Sequence, residues 1–161
     1  MTVSEYNRAV DLYSDGIYRF LLKNTRDTDK AKDLVQDTFE KLWLKLDTVT
    51  NEKVKSYLFT TAYHTFIDSF RRDGRIESLD KIKTDQYHHS EQYSDLHEVL
   101  DAAINQLPEA QRSVILLRDY EGYSYEEIAE ITGLNESQVK VYIFRGRAFL
   151  KSYIGNLESV L

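Results

Sequence analysis

Cysteine is absent from this sequence, and with it go disulfides, thiol nucleophiles and thiolate metal sites. A single proline, Pro108, and only six glycines leave few helix breakers in 161 residues, which favours helices throughout. No apolar run approaches the about twenty residues that a membrane span needs, and no apolar segment near the N-terminus has the form of a secretion signal. A cytoplasmic protein is the expectation. Also missing are a glycine-rich phosphate loop, a nucleophile motif and a ligand constellation, so no enzyme activity, cofactor or metal site is expected. His88 and His89 are adjacent, which on a helix points them apart, and they fit a solvated pair better than a ligand pair.

Net positive charge is lacking too. The chain carries 21 Lys plus Arg against 27 Asp plus Glu, a balance of −6, so it has no broad basic surface for binding nucleic acid through counterion release. The distribution is uneven. Residues 1–73 hold 12 basic and 12 acidic side chains, residues 98–135 hold 2 and 8, and residues 136–161 hold 4 and 2. The basic excess is confined to the C-terminal segment, which implies that a partner or a second copy supplies part of any affinity for DNA.

What is present is helical periodicity, interrupted once. Tyr6, Val10, Tyr13, Ile17, Phe20 and Leu21 place an amphipathic helix over Ser4 to Asn24. A second, Asp29 to Leu46, turns Ala31, Leu34, Val35, Thr38, Phe39 and Leu42 inward and Asp33, Gln36, Asp37, Glu40 and Lys41 outward. A third spans Glu52 to Arg72, with Val54, Leu58, Ala62, Phe66 and Phe70 on one side. Residues 74–94 are polar and aperiodic and read as a linker. The period returns through Leu96, Val99, Leu100, Ala103, Ile104 and Leu107. Pro108 suits the first position of another helix, which is expected to run to about Asp119 and close at Gly122.

The segment from Ser124 to Arg147 then has the form of a helix-turn-helix. Ser124 and Glu127 make an S-x-x-E capping box, Gly133 sits where the first helix must end left-handed, and Asn135 is a good N-cap for the second. In that second helix Val139, Ile143, Gly146 and Leu150 share the inner face. Ser137, Lys140, Val141, Phe144, Arg145, Ala148 and Lys151 lie opposite. Lys and Arg suit phosphates or guanine edges, Ser a phosphate, and Val and Phe a thymine methyl, all in a major groove that admits such a helix.

Two separated motifs together resemble the extracytoplasmic-function (ECF) sigma factors, the smallest members of the bacterial sigma-70 family. Lys32-Asp-Leu-Val-Gln-Asp-Thr-Phe-Glu-Lys-Leu-Trp43 is similar to the family's region 2.2, and Lys55 to Arg72 to regions 2.3 and 2.4. Leu107 to Ala129, running into Val139-Lys140 and Arg145-Gly-Arg147, is similar to region 4. The resemblance implies an all-α chain of two small helical domains on a flexible linker: 1–73 as region 2, a three- to four-helix bundle; 74–94 as linker; 95–161 as region 4.

It also implies partners. Region 2 would meet the beta-prime clamp helices of core RNA polymerase and the minus-10 element, while region 4 would meet the beta flap and the minus-35 element; an anti-sigma factor is a further possible partner. Carried over by position, Asp33, Gln36, Asp37, Phe39, Glu40 and Trp43 would face the polymerase, although Phe39 and Trp43 also suit a core. Tyr57, Tyr63, His64, Arg71 and Arg72 would serve the minus-10 DNA, with aromatic faces holding unstacked bases at about 1 to 3 kcal/mol each. Tyr57 fits the bundle interior as well. Ser137, Gln138, Lys140, Val141, Phe144, Arg145 and Arg147 would serve the minus-35 DNA. Two residues depart from the family pattern: His64 where Asn is common, and Gly146 where Ala is usual, at a helix-propensity cost of about 1 kcal/mol. A helix-turn-helix regulator that binds an operator without polymerase is the alternative reading.

Overall fold

A computed structural model describes residues 1–77 and 95–160, with side chains over 1–73 and 96–156. Seven α-helices and no strand occur among the described residues, and they divide into two compact units, Met1–Gln86 and Tyr87–Leu161. The residues 78–94 of the expected linker, His88 and His89 included, lie outside the described residues.

The first unit is three helices, α1 (Val3–Thr25), α2 (Thr28–Leu44) and α3 (Val54–Glu77). Thr2 caps α1 in a reciprocal box: Glu5 N–H donates to Thr2 Oγ1 at 3.0 Å and Thr2 N–H donates to Glu5 Oε1 at 2.8 Å. That backbone hydrogen bond holds the Glu5 carboxyl below its ordinary range. The turn into α2 is tight. Arg26 adopts φ +58°, a left-handed conformation unusual for a residue with a Cβ, and its N–H closes on Leu22 O at 2.7 Å. Asp27 next to it caps α2 through Lys30 N–H at 3.1 Å.

Ile17, Phe20 and Leu21 of α1, Leu34 and Leu42 of α2, and Leu58, Phe59, Ala62 and Phe66 of α3 fill the interior. Phe20 and Phe59 meet edge to face at 5.9 Å. Two polar ties flank this core: Lys41 Nζ donates to Thr65 Oγ1 at 3.0 Å, and Lys30 pairs with Asp73.

Three details differ from the sequence expectation. Helix α3 continues to Glu77, past Arg72, because Arg75, Ile76 and Glu77 are adequate helix formers and Gly74 costs only about 1 kcal/mol. Phe70, expected inside, is 51% exposed. The cause is geometric: four steps of four residues rotate about 160° away from Val54, so the stripe that starts inward ends outward. Finally, the inner face of α3 is wider than one stripe, since Phe59, Tyr63, Thr65 and Ser69 are buried with it.

The second unit comprises α4 (Asp95–Gln106), α5 (Glu109–Ile115), α6 (Tyr125–Thr132) and α7 (Glu136–Val160). Pro108 stands one position earlier than expected, as the extended N-cap of α5 with ψ 148°. Helix α5 does not run evenly to Asp119. Its last turn, Leu116–Tyr120, widens into a π-helix that the periodicity gave no sign of. Ser113, Val114, Ile115, Leu116 and Leu117 are all buried, so the core surrounds this segment on most sides. Gly122 at φ +77° then turns the chain toward α6.

Candidate nucleic-acid and partner interfaces

The helix-turn-helix is built by its caps. Ser124 Oγ accepts from Glu127 N–H at 3.1 Å while Glu127 Oε1 accepts from Ser124 N–H at 3.0 Å. Gly133 ends α6 at φ +79°. Asn135 Oδ1 accepts from Gln138 N–H at 2.8 Å, and Gln138 Oε1 returns the bond from Asn135 N–H at 3.0 Å. Gln138 therefore opens α7 as a capping partner, a role its sequence position did not suggest, and only its amide donors face outward from that box.

Val139 and Ile143 are buried and Gly146 lies against α5. A Cβ at Gly146 would come within 2.9 Å of Ile115 Cγ1 and 3.2 Å of its Cδ1. Glycine here allows close packing of α5 on α7. On the opposite side Ser137, Lys140, Val141, Arg145, Ala148 and Lys151 are exposed, and Phe144 is exposed to 75%, far more than a packing role would leave it. A large aromatic so open to solvent has no core to serve.

The flank of α7 toward α6 is electrostatically tied. Lys140 Nζ lies 3.7 Å from Glu136 and 5.8 Å from the centre of the Tyr125 ring, which Arg118 approaches at 4.8 Å. Arg147, expected to face DNA directly, is paired with Asp119 through Nε at 3.2 Å and Nη2 at 2.5 Å. Hydrogen bonding to Asp119 raises the Arg147 pKa above its ordinary value. Neither Asp119 nor Tyr125 stood out in the sequence; both act across the fold, and no local pattern marks such contacts.

The first unit presents a different face. Asp33, Gln36, Asp37 and Glu40 follow the i, i+3, i+4, i+7 spacing and are all exposed, forming one acidic stripe on α2. Trp43 extends it, 47% exposed, beside Leu44 at 74%. Phe39 does not belong to this surface. It is 7% exposed, because its ring turns into the bundle and meets Tyr6 edge-on at 6.5 Å. Tyr6 is the link between interior and surface: its ring stands edge-on to Trp43 at 5.1 Å, and its hydroxyl donates to Phe39 O at 3.2 Å. Burial raises the Tyr6 pKa.

On α3 the expected DNA residues separate. His64, Arg71 and Arg72 are exposed, and Phe70 joins them. Tyr57 is half-buried with its hydroxyl 3.5 Å from Lys41 O. Tyr63 is buried at 8% and packs edge-on beneath His64 at 5.4 Å, so its face is closed to an incoming base. Among the described residues no three His, Asp or Glu side chains are grouped to hold a metal, and no helix is long and apolar enough to cross a membrane.

Comparison with known proteins bears on both faces. Residues 9–76 match the Sigma-70 region 2 family and residues 97–150 the Sigma-70, region 4 family. The Bacillus subtilis RNA polymerase sigma factor YlaC is 34% identical over 148 residues, covering 86% of each chain, and the ECF RNA polymerase sigma factor SigM of the same organism is 31% identical over 94% of each. This chain belongs to the ECF sigma factors of the sigma-70 family. Among solved structures, the sigma factor RpoE of Bartonella quintana, crystallised in complex with the anti-sigma factor NepR, matches 95% of this chain and 98% of its own with a TM-score of 0.84 at 29% identity. Membership in this family favours a sigma factor over a stand-alone operator-binding regulator. The acidic stripe of α2 falls within the region 2 match, and the exposed row of α7 up to Leu150 within the region 4 match.

Proposed function

We propose that this sigma factor binds the core RNA polymerase in the cytoplasm and directs it to promoters, with residues 1–73 as the polymerase and minus-10 module and residues 95–161 as the minus-35 module. The observation that carries the reading is that the two units keep chemically distinct faces open: an acidic stripe ending in Trp43 and Leu44 on α2, with exposed His64, Phe70, Arg71 and Arg72 on α3, and a basic row around Phe144 on α7. Asp33, Gln36, Asp37, Glu40 and Trp43 contact the beta-prime clamp helices, with Tyr6 and Phe39 holding Trp43 in place from below. An exposed aromatic ringed by polar groups has the composition of a binding hot spot. His64, Phe70, Arg71 and Arg72 contact the minus-10 region. Ser137, Lys140, Val141, Phe144 and Arg145 meet the minus-35 element in the major groove, where the first turns of a reading helix approach base edges.

Catalysis in this scheme belongs to the polymerase. The bound anti-sigma factor of the Bartonella relative supports a similar regulator here, one that covers either face. The test is co-elution of the purified chain with sigma-free core polymerase on size-exclusion chromatography. Near-equal stoichiometry is expected; a folded, inhibitor-free chain that stays apart from the core would contradict the reading.

A further inference from the structure

The Asp119–Arg147 pair is out of keeping with a DNA-binding flank, because it sets a carboxylate beside a cation that DNA would use. Both partners remain partly exposed, 37% and 49%, so burial does not explain the pairing. Arg147 lies seven residues beyond Lys140, two turns further along almost the same line of α7. It therefore lies at the edge of the row of α7 read above as the DNA face. Its bonds to Asp119 are side-on, through Nε and Nη2. A guanidinium has five N–H donors in a fixed plane, and this pairing uses two of them. The two Nη1 hydrogens and the second Nη2 hydrogen lie outside the pair, on the far edge of the fork, in the arrangement that suits a phosphate.

We infer that Asp119 is a positioning residue for DNA binding: it locks the Arg147 guanidinium in one orientation so that the outer edge of the fork is presented to a backbone phosphate beside the reading helix. The inference rests on α7 being the DNA face. Asp119 projects from the π-helical turn of Leu116–Tyr120. A single residue inserted there or removed would shift the carboxylate away from Arg147, which gives the irregular turn a purpose.

Simple charge counting makes the opposite prediction. Removing an acidic side chain near DNA should tighten binding, whereas loss of a positioning residue should weaken it. The experiment measures promoter affinity of polymerase reconstituted with full-length wild type, D119A, R147A, R147K, D119A/R147A and R145A across a salt series, with melting temperature as the control for folding. D119A is expected to weaken binding about fivefold and to lower the salt slope by about 0.9, the loss of one phosphate contact. In the R147A background D119A should have no further effect. R147K, which keeps the charge without the fork, should behave as R147A. Tighter or unchanged binding by D119A, an equal loss in the R147A background, or wild-type behaviour of R147K would each overturn the role of Asp119. Should R145A leave binding unchanged, the assignment of α7 as the DNA face falls and the inference with it; a loss in R145A without one in D119A removes Asp119 alone.

Discussion

The largest fully buried side chains of the α1–α3 unit are rings, Phe20, Phe59 and Phe66, whereas those of the α4–α7 unit are branched aliphatics, Ile104, Ile115, Leu116, Leu117 and Ile128. The difference goes with the two short helices of the second unit, since its α7, at 25 residues, is longer than any helix of the first. Helices of 17 to 24 residues cross over enough length to enclose rings, while α5 and α6, of 7 and 8 residues, need caps, a π turn and a glycine contact to pack at all. Both units bury an apolar core, and the second adds these local devices to it. Both exposed faces follow helical register, and that of α7 is in addition aimed by the caps at its N-terminus.

This contrast predicts unequal responses to substitution. Phe59→Ala should be the most damaging, since it removes a fully buried ring that meets Phe20, and a loss of about 3 to 5 kcal/mol is expected from denaturant unfolding. Trp43→Ala separates surface from core: stability should change by less than about 1 kcal/mol, given its exposure, while affinity for core polymerase falls by about 2 kcal/mol or more. In the second unit Arg145→Ala should weaken promoter binding by about 1 to 3 kcal/mol without moving the melting temperature. Gly146→Ala tests packing against propensity. Alanine favours the helix by about 1 kcal/mol, yet its Cβ would collide with Ile115, and the expected net effect is a loss of about 1 kcal/mol that I115V partly restores. Smallest, and opposite in sign, Arg26→Gly should stabilise the first unit by about 0.5 to 1 kcal/mol, because glycine adopts φ +58° without steric cost.

How far the sequence reached depended on the range of the interactions involved. The capping box at Ser124, the N-cap Asn135, the left-handed Gly133 and the outward row of α7 are local, and all were legible from spacing. The acidic stripe of α2 was legible for the same reason. Burial of Phe39 was legible from the inward stripe of α2, and only the carried-over polymerase role set it outward; burial of Tyr63 was not, because the inner face of α3 is broadened by neighbours that spacing does not reveal. Phe70 was misplaced by treating an i, i+4 series as straight when it drifts around the helix. The Arg26 turn, the widening at Leu116–Tyr120 and the engagement of Arg147 by Asp119 arise where separate elements meet, and no pattern within one element encodes them.

The central claim is that the two faces do separate jobs, polymerase binding on α2 and promoter reading on α7. Its most direct test is the affinity of W43A and R145A for sigma-free core polymerase, titrated in parallel by fluorescence with promoter DNA absent. R145A is expected to bind as wild type and W43A to bind at least about thirtyfold more weakly. Equal loss in both variants, or wild-type binding by W43A, would contradict the division of labour between the faces.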